Sequence, residues 1–284
     1  MKVKEILPSL LAQWKIKVSE IPTDSKGNDI QIPIIVSLTS IPNRLDKLDI
    51  VIKSILLQTQ LPKKIILWLN YDLKNKLPKK LLDLTNVKIR NKQIFEIHYS
   101  NLTCSHRKLI HSLDLYPNDT IVTCDDDSIY PNNWLELLYT DQTNNPNTII
   151  ANRTCFITYD KNNKTIPYSK WDKNVPTATH SLSILPIGCD GILYPPGSFH
   201  KDITNSDLFL KLTPKADDLW FKAMSFLNQT QCMQASIPCK KPITLIGSQK
   251  FSLSKKNVRL DQNKDQWNAL REHYNFKTPN QIKT

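Results

Sequence analysis

Three consecutive carboxylates, Asp125, Asp126 and Asp127, directly follow the apolar run Ile121–Cys124. Carboxylates held this close repel one another, so folding them into a cleft is unfavourable without a countercharge. Because hard oxygen ligands suit Mg²⁺ or Mn²⁺, a divalent cation is the obvious candidate. The alternative is a solvated turn whose aspartates cap the helix introduced by Pro131.

A second acidic pair, Asp217 and Asp218, begins the helical pattern KADDLWFKAMSFL. Two aspartates at a helix start are also common N-caps, so this pair by itself leaves chemistry and capping open. The segment IGCDGILYPPGSF, residues 187–199, precedes it and contains three of the chain's five glycines. Concentrated glycine indicates either a close backbone approach to a ligand or a tight bend.

Alternating strands and helices position the first carboxylates. The patterns predict strands at 32–39, 64–70, 94–99 and 120–124, and helices ending near residue 58 and over 78–84, 106–115 and 132–139. This alternation predicts right-handed crossovers and a mostly parallel sheet covered on both faces. Ligands of such sheets bind beyond the carboxyl ends of the strands, where the three aspartates and Ser37–Ser40 both fall.

The second half of the chain is less regular. We predict strands at 149–154 and 243–246, a helix from Asp217, a terminal helix at 261–274, and an irregular polar segment over 159–186. Neither an internal repeat nor a convincing linker is present. Residues 3–18 form a basic amphipathic pattern carrying Trp14, for which packing on the domain is favoured and a peripheral membrane role is the alternative.

The chain is basic, since 38 Lys and Arg against 26 Asp and Glu give a net charge of +12. Its lysines are spread in pairs without an Arg-rich arm, which favours a solvated surface over a nucleic-acid-binding face. Six cysteines without a Cys-x-x-Cys pair indicate free thiols in a reducing compartment. No hydrophobic stretch approaches about 18 residues, so we expect a cytoplasmic protein, with peripheral attachment to the inner face of the membrane as the alternative.

An ordered set of motifs resembles bacterial glycosyltransferases of the GT-A fold, close to the family-two type. The set is SLTSIPNR, SILLQTQLPKKIILWLN, CDDDSIYP, GCDGILYPPGSF and DDLW, and the resemblance spans Ile32 to Tyr274. It implies an α/β fold with a Rossmann-like, mostly parallel sheet flanked by helices. It also implies a nucleotide-diphosphate sugar donor, with a UDP-sugar favoured, and a saccharide or glycolipid acceptor in envelope or capsule polysaccharide synthesis.

The resemblance implies residue roles as well. The Asp-x-Asp motif of such enzymes matches Asp125-Asp126-Asp127, with Asp127 as ligand of Mn²⁺ or Mg²⁺ and Asp125 assisting or holding the ribose. The other residues implied to bind nucleotide or substrate are Thr39, Ser40, Arg44, Lys108, Asp126, Gly188, Asp190 and Gly191. In the inverting members one carboxylate of the later acidic pair is the base, for which we favour Asp218 over Asp217. Here Asp-Asp replaces the frequent Glu-Asp, so the identity of the base stays open.

The same resemblance divides the chain into an N-terminal helical extension, residues 1–30, and one GT-A-like domain, residues 31–284. Residues 31–140 would form its nucleotide-binding half and residues 141–284 its acceptor-binding half. Trp171, Tyr194 and Trp220 could stack on a sugar, although packing is favoured for such aromatics. His106 and His111 are five residues apart, which does not put both on one helical face, and we interpret them as incidental.

Two other functions were weighed. A sugar nucleotidyltransferase shares the sheet and an acidic metal site, but such enzymes carry a Gly-rich phosphate loop after the first strand, and SLTSIPNRL contains no glycine. A nucleic-acid binder would fit the net charge of +12, yet an acidic cluster in the presumed cleft argues against it.

Overall fold

The computed structural model describes residues 3–22, 30–248 and 261–276. The helices within them are α1 (Ile6–Val18), α2 (Leu48–Leu56), α3 (Lys79–Thr85), α4 (Arg107–Leu115), α5 (Trp134–Asn144), α6 (Ser206–Leu212), α7 (Asp217–Leu227) and α8 (Gln262–Tyr274). The strands are β1 (Ile30–Thr39), β2 (Gln60–Asn70), β3 (Lys88–Ile89), β4 (Lys92–Gln93), β5 (Phe95–Ser100), β6 (Thr120–Thr123), β7 (Ser128–Ile129), β8 (Ile149–Ala151), β9 (Thr154–Phe156), β10 (His180–Ser181), β11 (Ile184–Pro186), β12 (Ile192–Tyr194), β13 (Cys232–Gln234) and β14 (Ile243–Thr244).

The chain forms two compact units. The first lies within Met1–Thr103, Arg107–Thr140 and Cys239–Ser252, and the second within Cys104–His106, Asp141–Pro238 and Leu253–Thr284. A single domain over residues 31–284 stays a prediction. All six cysteines lie in the described residues, and each is a free thiol. No helix in the described part of the chain is both long and apolar enough to cross a bilayer.

The sheet of the first unit is entirely parallel, in the order β6-β1-β2-β5. Its two central strands are built from β-branched and apolar residues that are almost fully buried, such as Ile34, Val36 and Ile66. Ser37 pairs with Thr123 and Thr39 with Trp68, so the carboxyl ends of β1, β2 and β6 meet at one edge. The α/β class and the mostly parallel sheet flanked by helices, predicted from the sequence, are confirmed.

Two helices pack on this sheet, and one of them, α4, delivers side chains to that edge. Helix α2 buries seven of its nine residues. Helix α4 packs against β1, β2 and β6 and buries Leu109 and Ile110 together with the basic Arg107 and Lys108. A buried cation needs a partner or its pKa shifts, so the burial of two consecutive basic residues points to anionic or carbonyl partners at the sheet edge.

A long-range strand pair brings a distant segment to the aspartates. Strand β7, directly after Asp127, pairs antiparallel with β14, so that Ile129 lies opposite Ile243 and Ser128 opposite Thr244. The Leu245 N–H continues the contact by donating to the Asp127 carbonyl at 2.8 Å. This pairing fixes residues 243–248 beside the carboxylates.

The second unit has a mixed set of short strands. Strand β8 pairs parallel with β13 and antiparallel with β12, while β10 pairs with β13 and β9 with β11 in antiparallel fashion. Three of these strands, β9, β10 and β11, lie in or next to the segment predicted to be irregular. The core of the second unit contains the large aromatic side chains of Phe209, Trp220 and Trp267, each 1% exposed or less.

Lys222 of α7 lies fully inside that core, and its amine donates to Cys232 Sγ at 3.5 Å. Because a thiol is a weak acceptor and compensates no charge, Lys222→Met is expected to stabilise the protein by about 1–3 kcal/mol. Urea unfolding followed by circular dichroism measures this gain. The matched control is Lys211→Met on α6, where the lysine is exposed and the change is expected to stay within about 0.5 kcal/mol.

The stabilisation by Lys222→Met should depend on pH. Burial lowers the pKa of Lys222, so the unfolded chain binds this proton more tightly than the folded one. The cost of burying the protonated amine is therefore absent above the unfolded pKa of about 10.4. It appears as the pH falls and is complete below the folded pKa. The gain from the methionine should therefore be larger near pH 7 than near about pH 10. An equal gain at both values would contradict a protonation penalty.

Candidate functional site

Arg44 holds two of the three consecutive aspartates. Its guanidinium donates through Nη1 to Asp126 Oδ1 and lies 3.1 Å from Asp127 Oδ2 through Nη2. Nη2 also donates to the Ser248 carbonyl at 3.3 Å. Burial by itself lowers the pKa of Arg44, but the charges of Asp126 and Asp127 raise it above its ordinary value. The residue is therefore fixed as a cation between the loop after β1 and the aspartates after β6.

Asp126 is the most deeply buried of the three carboxylates, at 5% exposure. Its Oδ2 accepts a hydrogen bond from the Ser40 hydroxyl at 2.5 Å, and its Oδ1 accepts from Arg44. Burial raises the pKa of Asp126, and the Arg44 charge and the Ser40 hydrogen bond oppose that rise. Both carboxylate oxygens of Asp126 accept hydrogen bonds from within the protein. Asp126 therefore holds the loop after β1 beside the end of β6.

The pKa of Asp127 is raised although Asp127 forms an ion pair with Arg44. Burial, and then the charge of Asp125, raise the pKa of Asp127 to about 6, while the Arg44 charge and a hydrogen bond from Ser248 oppose the rise. Its Oδ1 also accepts from the Ser128 hydroxyl at 3.4 Å. Burial, together with the neighbouring Asp125, therefore disfavours the charged form of Asp127, which an added cation would favour.

Asp125 is the most accessible member of the cluster. Its side chain is 35% exposed and lies 3.6 Å from the buried Lys108 amine of α4. Its backbone N–H donates to the hydroxyl of the buried Tyr130 at 2.8 Å, which fixes the turn after β6. Lys108 therefore faces the carboxylate predicted to assist the metal or the ribose.

Arg107, the neighbour of Lys108, organises the loop after β1. Its guanidinium donates to the Thr39 hydroxyl, to the Leu102 carbonyl at 2.6 Å and to the Ser40 carbonyl at 2.5 Å. The Thr39 hydroxyl in turn donates to the Trp68 carbonyl at 2.8 Å. The side chains of Thr39 and Ser40 thus make internal hydrogen bonds at the sheet edge, and their assignment to nucleotide binding stays a prediction.

The aspartate cluster, meaning Asp125–Asp127 with Arg44 and Lys108, has three carboxylates against two cations. In residues 3–22, 30–248 and 261–276, no group of three or more His, Cys, Asp or Glu side chains is arranged to hold a metal by itself. Mg²⁺ commonly binds through one or two carboxylates plus substrate phosphates rather than in an all-protein cage. The half-exposed Asp125 and the buried Asp127, whose charged form a nearby cation would favour, fit such partial ligation.

The second acidic pair begins α7 in the other unit. The helix N-cap is Ala216, which makes no side-chain cap, so Asp217 and Asp218 occupy the first turn, where carboxylates are favourable near the helix N-terminus. Asp217 is buried and Asp218 is half-buried. Asp218 Oδ2 accepts the Gly188 N–H at 3.0 Å, so the predicted base and the predicted glycine are in direct contact.

Two glycines of the glycine segment, Gly191 and Gly197, have positive φ, and Gly191 shapes the turn that contains Gly188. Gly191 has φ +98°, a conformation that side-chain-bearing residues rarely adopt, and its N–H donates to the Gly188 carbonyl at 3.1 Å. The Asn152 side chain donates to the Asp190 carbonyl at 3.2 Å. The glycines therefore form a tight bend beside Asp218, which is one of the two alternatives that their concentration left open.

Arg153 contacts the glycine segment, and Tyr168 is influenced by the charge of Asp218 within this unit. Arg153 Nη1 donates to Cys189 Sγ at 3.2 Å, and this contact raises the pKa of Arg153, to which the charge of Asp190 also contributes. Burial raises the pKa of the Tyr168 hydroxyl strongly, and the Asp218 charge adds to it. Neither residue was predicted from the sequence, because neither belongs to a recognisable motif.

The aromatic and histidine residues considered for ligand binding have packing roles. Trp171 and Trp220 are buried, and each indole N–H donates to a backbone carbonyl at 2.9 Å, Ile166 and Ile203 respectively. Tyr194 is 2% exposed. Of the two histidines, His106 stacks on Phe209 at 4.5 Å and His111 packs on Trp68 at 4.9 Å between ring centroids. Packing, the favoured alternative for the aromatics, is what the structure shows.

No protein-family model matches this chain, and a comparison with curated proteins gave no match. Among solved structures, the chain is similar to residues 1–349 of S. aureus TarS, with 14% identity over 89% of this chain and 76% of that one and a TM-score of 0.47. A mannosyltransferase from Pyrobaculum calidifontis in complex with GDP-Man and Mn²⁺ has 11% identity over 52% of this chain and 44% of that one, with a TM-score of 0.32. The inositol-1-phosphate CTP transferase of T. maritima has 10% identity over 87% and 98%, with a TM-score of 0.39. At these values no residue role is transferred from them.

Proposed function

We propose that this protein is a glycosyltransferase that takes a sugar from a nucleotide-diphosphate donor, with a UDP-sugar favoured, and transfers it with inversion to a saccharide or glycolipid acceptor. The proposed setting is envelope or capsule polysaccharide synthesis in the cytoplasm. One observation supports the proposal most: the aspartate cluster lies at the carboxyl edge of a parallel sheet, with an accessible Asp125 beside the buried Asp127.

The donor diphosphate is proposed to bind at the aspartate cluster. Asp127, assisted by Asp125, would hold Mn²⁺ or Mg²⁺, which would neutralise charge on the leaving diphosphate where water is excluded. Lys108, 3.6 Å from Asp125, can offer its ammonium group to a phosphate oxygen. Arg44, which pairs with Asp126 and Asp127, would reduce the repulsion between the aspartate cluster and an anionic diphosphate.

Asp218 is proposed as the general base for the acceptor hydroxyl. The Gly188 N–H donates to Asp218 Oδ2 at 3.0 Å and fixes the orientation of the carboxylate. Half-burial favours Asp218 over the more deeply buried Asp217, because a base must come within hydrogen-bond reach of its substrate. Gly188, Asp190 and Gly191 are proposed to line the same part of the acceptor region.

The first experiment is a thermal-shift screen of the full chain with nucleotides and nucleotide sugars, with and without Mn²⁺. A ligand that binds the native state raises the melting temperature by mass action, so the proposal expects a shift with a nucleoside diphosphate that increases when Mn²⁺ is present. Release of nucleoside diphosphate from the stabilising donor is then measured. Pyrophosphate release from a nucleoside triphosphate and a sugar phosphate would instead identify a nucleotidyltransferase and overturn the proposal.

Asp127→Asn is expected to lower donor turnover at least about tenfold, since the amide cannot supply a charged metal ligand. It should also abolish the Mn²⁺-dependent part of the thermal shift. The matched control is Asp119→Asn, which makes the same chemical change in a surface ion pair with Lys63 at 2.8 Å. Unchanged turnover and an unchanged Mn²⁺ effect in Asp127→Asn would remove the aspartate cluster from the mechanism.

A further inference from the structure

Helix α1 has its polar residues facing the protein and its apolar residues facing out. The residues it buries are Ser9 and Gln13. Its exposed apolar side chains range from 40% to 64% exposure and are Ile6, Leu7, Leu10, Leu11, Trp14 and Val18. Leu7, Leu10, Leu11, Trp14 and Val18 follow the three- and four-residue spacing of a single helical face. This set is called the outer face of α1.

The orientation of α1 is fixed by specific hydrogen bonds within the first unit. The buried Ser9 hydroxyl donates to the Thr244 carbonyl at 2.7 Å, and the Gln13 amide donates to Ser9 Oγ at 3.0 Å. Near the other end of the helix, the Lys53 amine donates to the Lys17 carbonyl at 2.8 Å. A helix rotated to bury its leucines would lose the contacts of Ser9 and Gln13, so the outward placement of the apolar face is built into the packing.

A contiguous apolar patch of this kind on the surface of a protein marks an interaction site. Trp14 is its largest member at 64% exposure, whereas the other five tryptophans, all within the described residues, are 8% exposed or less. An exposed tryptophan on a helical face is typical of segments that lie in the interfacial region of a bilayer.

Basic residues flank the outer face of α1. Lys4, Lys15 and Lys17 are all exposed. Lys4 precedes the helix, and at about 100° per residue Lys15 and Lys17 fall on either side of Trp14. Lysines in these positions can extend their amines to lipid phosphates while their methylene stems lie along the apolar surface.

We propose that the outer face of α1 docks on the surface of an anionic lipid bilayer. Charge selects this occupant over a second copy of the chain. A two-fold interface would place the lysines that flank this face in both copies at one contact, and a net charge of +12 on each copy opposes association. An anionic membrane instead complements both the lysines and the apolar stripe. This inference is independent of the reaction proposed above.

The test is co-sedimentation of the full chain with vesicles of mixed phosphatidylcholine and phosphatidylglycerol, and with vesicles of phosphatidylcholine alone. Binding is expected to the anionic vesicles and to be weaker on the neutral ones. Trp14→Glu is expected to lower the partition coefficient at least about tenfold by placing a charge in the apolar stripe. Removing Lys15 and Lys17 together by Lys→Gln changes should weaken binding to anionic vesicles by about fivefold per lysine, equal to about 1 kcal/mol each.

The matched control is Ile237→Glu, because Ile237 is 66% exposed but lies far from α1 in the chain. It should bind vesicles like the unchanged protein. A second measurement uses iodide quenching of tryptophan fluorescence, in which the accessible signal comes from Trp14. Vesicles should protect that signal, and Trp14→Phe should remove the protected component without altering the fold.

Several outcomes would overturn the proposal. Absence of binding to anionic vesicles, or equal losses in Trp14→Glu and Ile237→Glu, would show that this face does not dock on lipid. If sedimentation equilibrium instead found a dimer that Trp14→Glu dissociates, the occupant would be a second copy. Equal binding to neutral and anionic vesicles would remove the role given to the lysines.

Discussion

Asp218→Asn is expected to lower kcat by about 10²- to 10⁴-fold, the contribution typical of a positioned general base. Asparagine has nearly the size of aspartate, and its carbonyl oxygen can still accept the Gly188 N–H that Asp218 accepts at 3.0 Å. The fold and the affinity for the donor should therefore be kept. The measurement is steady-state transfer kinetics with the donor identified by thermal shift, together with the Kd of that donor.

The neighbouring aspartate supplies the control for this substitution. Asp217→Asn makes the same change in the same helical turn, but at a side chain that is only 9% exposed. It is expected to alter kcat far less than Asp218→Asn. A larger loss in Asp217→Asn would exchange the two roles, and full activity in both variants would mean that the base lies elsewhere in the chain.

Arg44→Met is expected to destabilise the protein by about 3–5 kcal/mol, because breaking a buried ion pair leaves an uncompensated charge inside the protein. The carboxylate left behind is Asp126, which is 5% exposed and whose pKa burial already raises. Methionine preserves much of the length and apolar volume of the arginine stem, so the loss should come from the charge. Urea denaturation followed by circular dichroism measures it.

A double substitution separates the charge from the packing in that experiment. Asp126→Asn combined with Arg44→Met removes both charges, so the total loss should be smaller than the sum of the two single losses. The surface control is Lys63→Met, which breaks the exposed pair with Asp119 at 2.8 Å and should cost about 0–1 kcal/mol. A loss for Arg44→Met no larger than that of Lys63→Met would contradict the inference that Arg44 neutralises the buried carboxylates.

The position of the aspartate cluster was predictable because it depends on local information. A short apolar run that ends in Asp125 identifies a strand end, and alternation with helices identifies a parallel sheet, whose carboxyl ends meet at one edge. The register of β1 with β6, which pairs Ser37 with Thr123, places the segment around Ser40 at that edge, as expected.

The charge partners of the cluster were not predictable in the same way. Three adjacent carboxylates predict a divalent cation opposite them, and the structure adds the guanidinium of Arg44, 82 residues from Asp126. Arg107 reaches the Ser40 carbonyl across 67 positions. Contacts over such separations depend on how the strands pair and how α4 packs, and neither property leaves a local pattern at the arginine itself.

Helix α1 separates the two kinds of information most clearly. The pattern in residues 3–18 predicts a basic amphipathic helix that carries Trp14, because a helix turns by a fixed angle at each residue. Packing on the domain was the favoured role for this helix, whereas the residues that it buries are Ser9 and Gln13 and its leucines are exposed. A sequence determines which side chains share a face and where a strand ends. Only the tertiary structure decides which way that face points and which distant charge meets a buried carboxylate, because both depend on contacts between segments far apart in the chain.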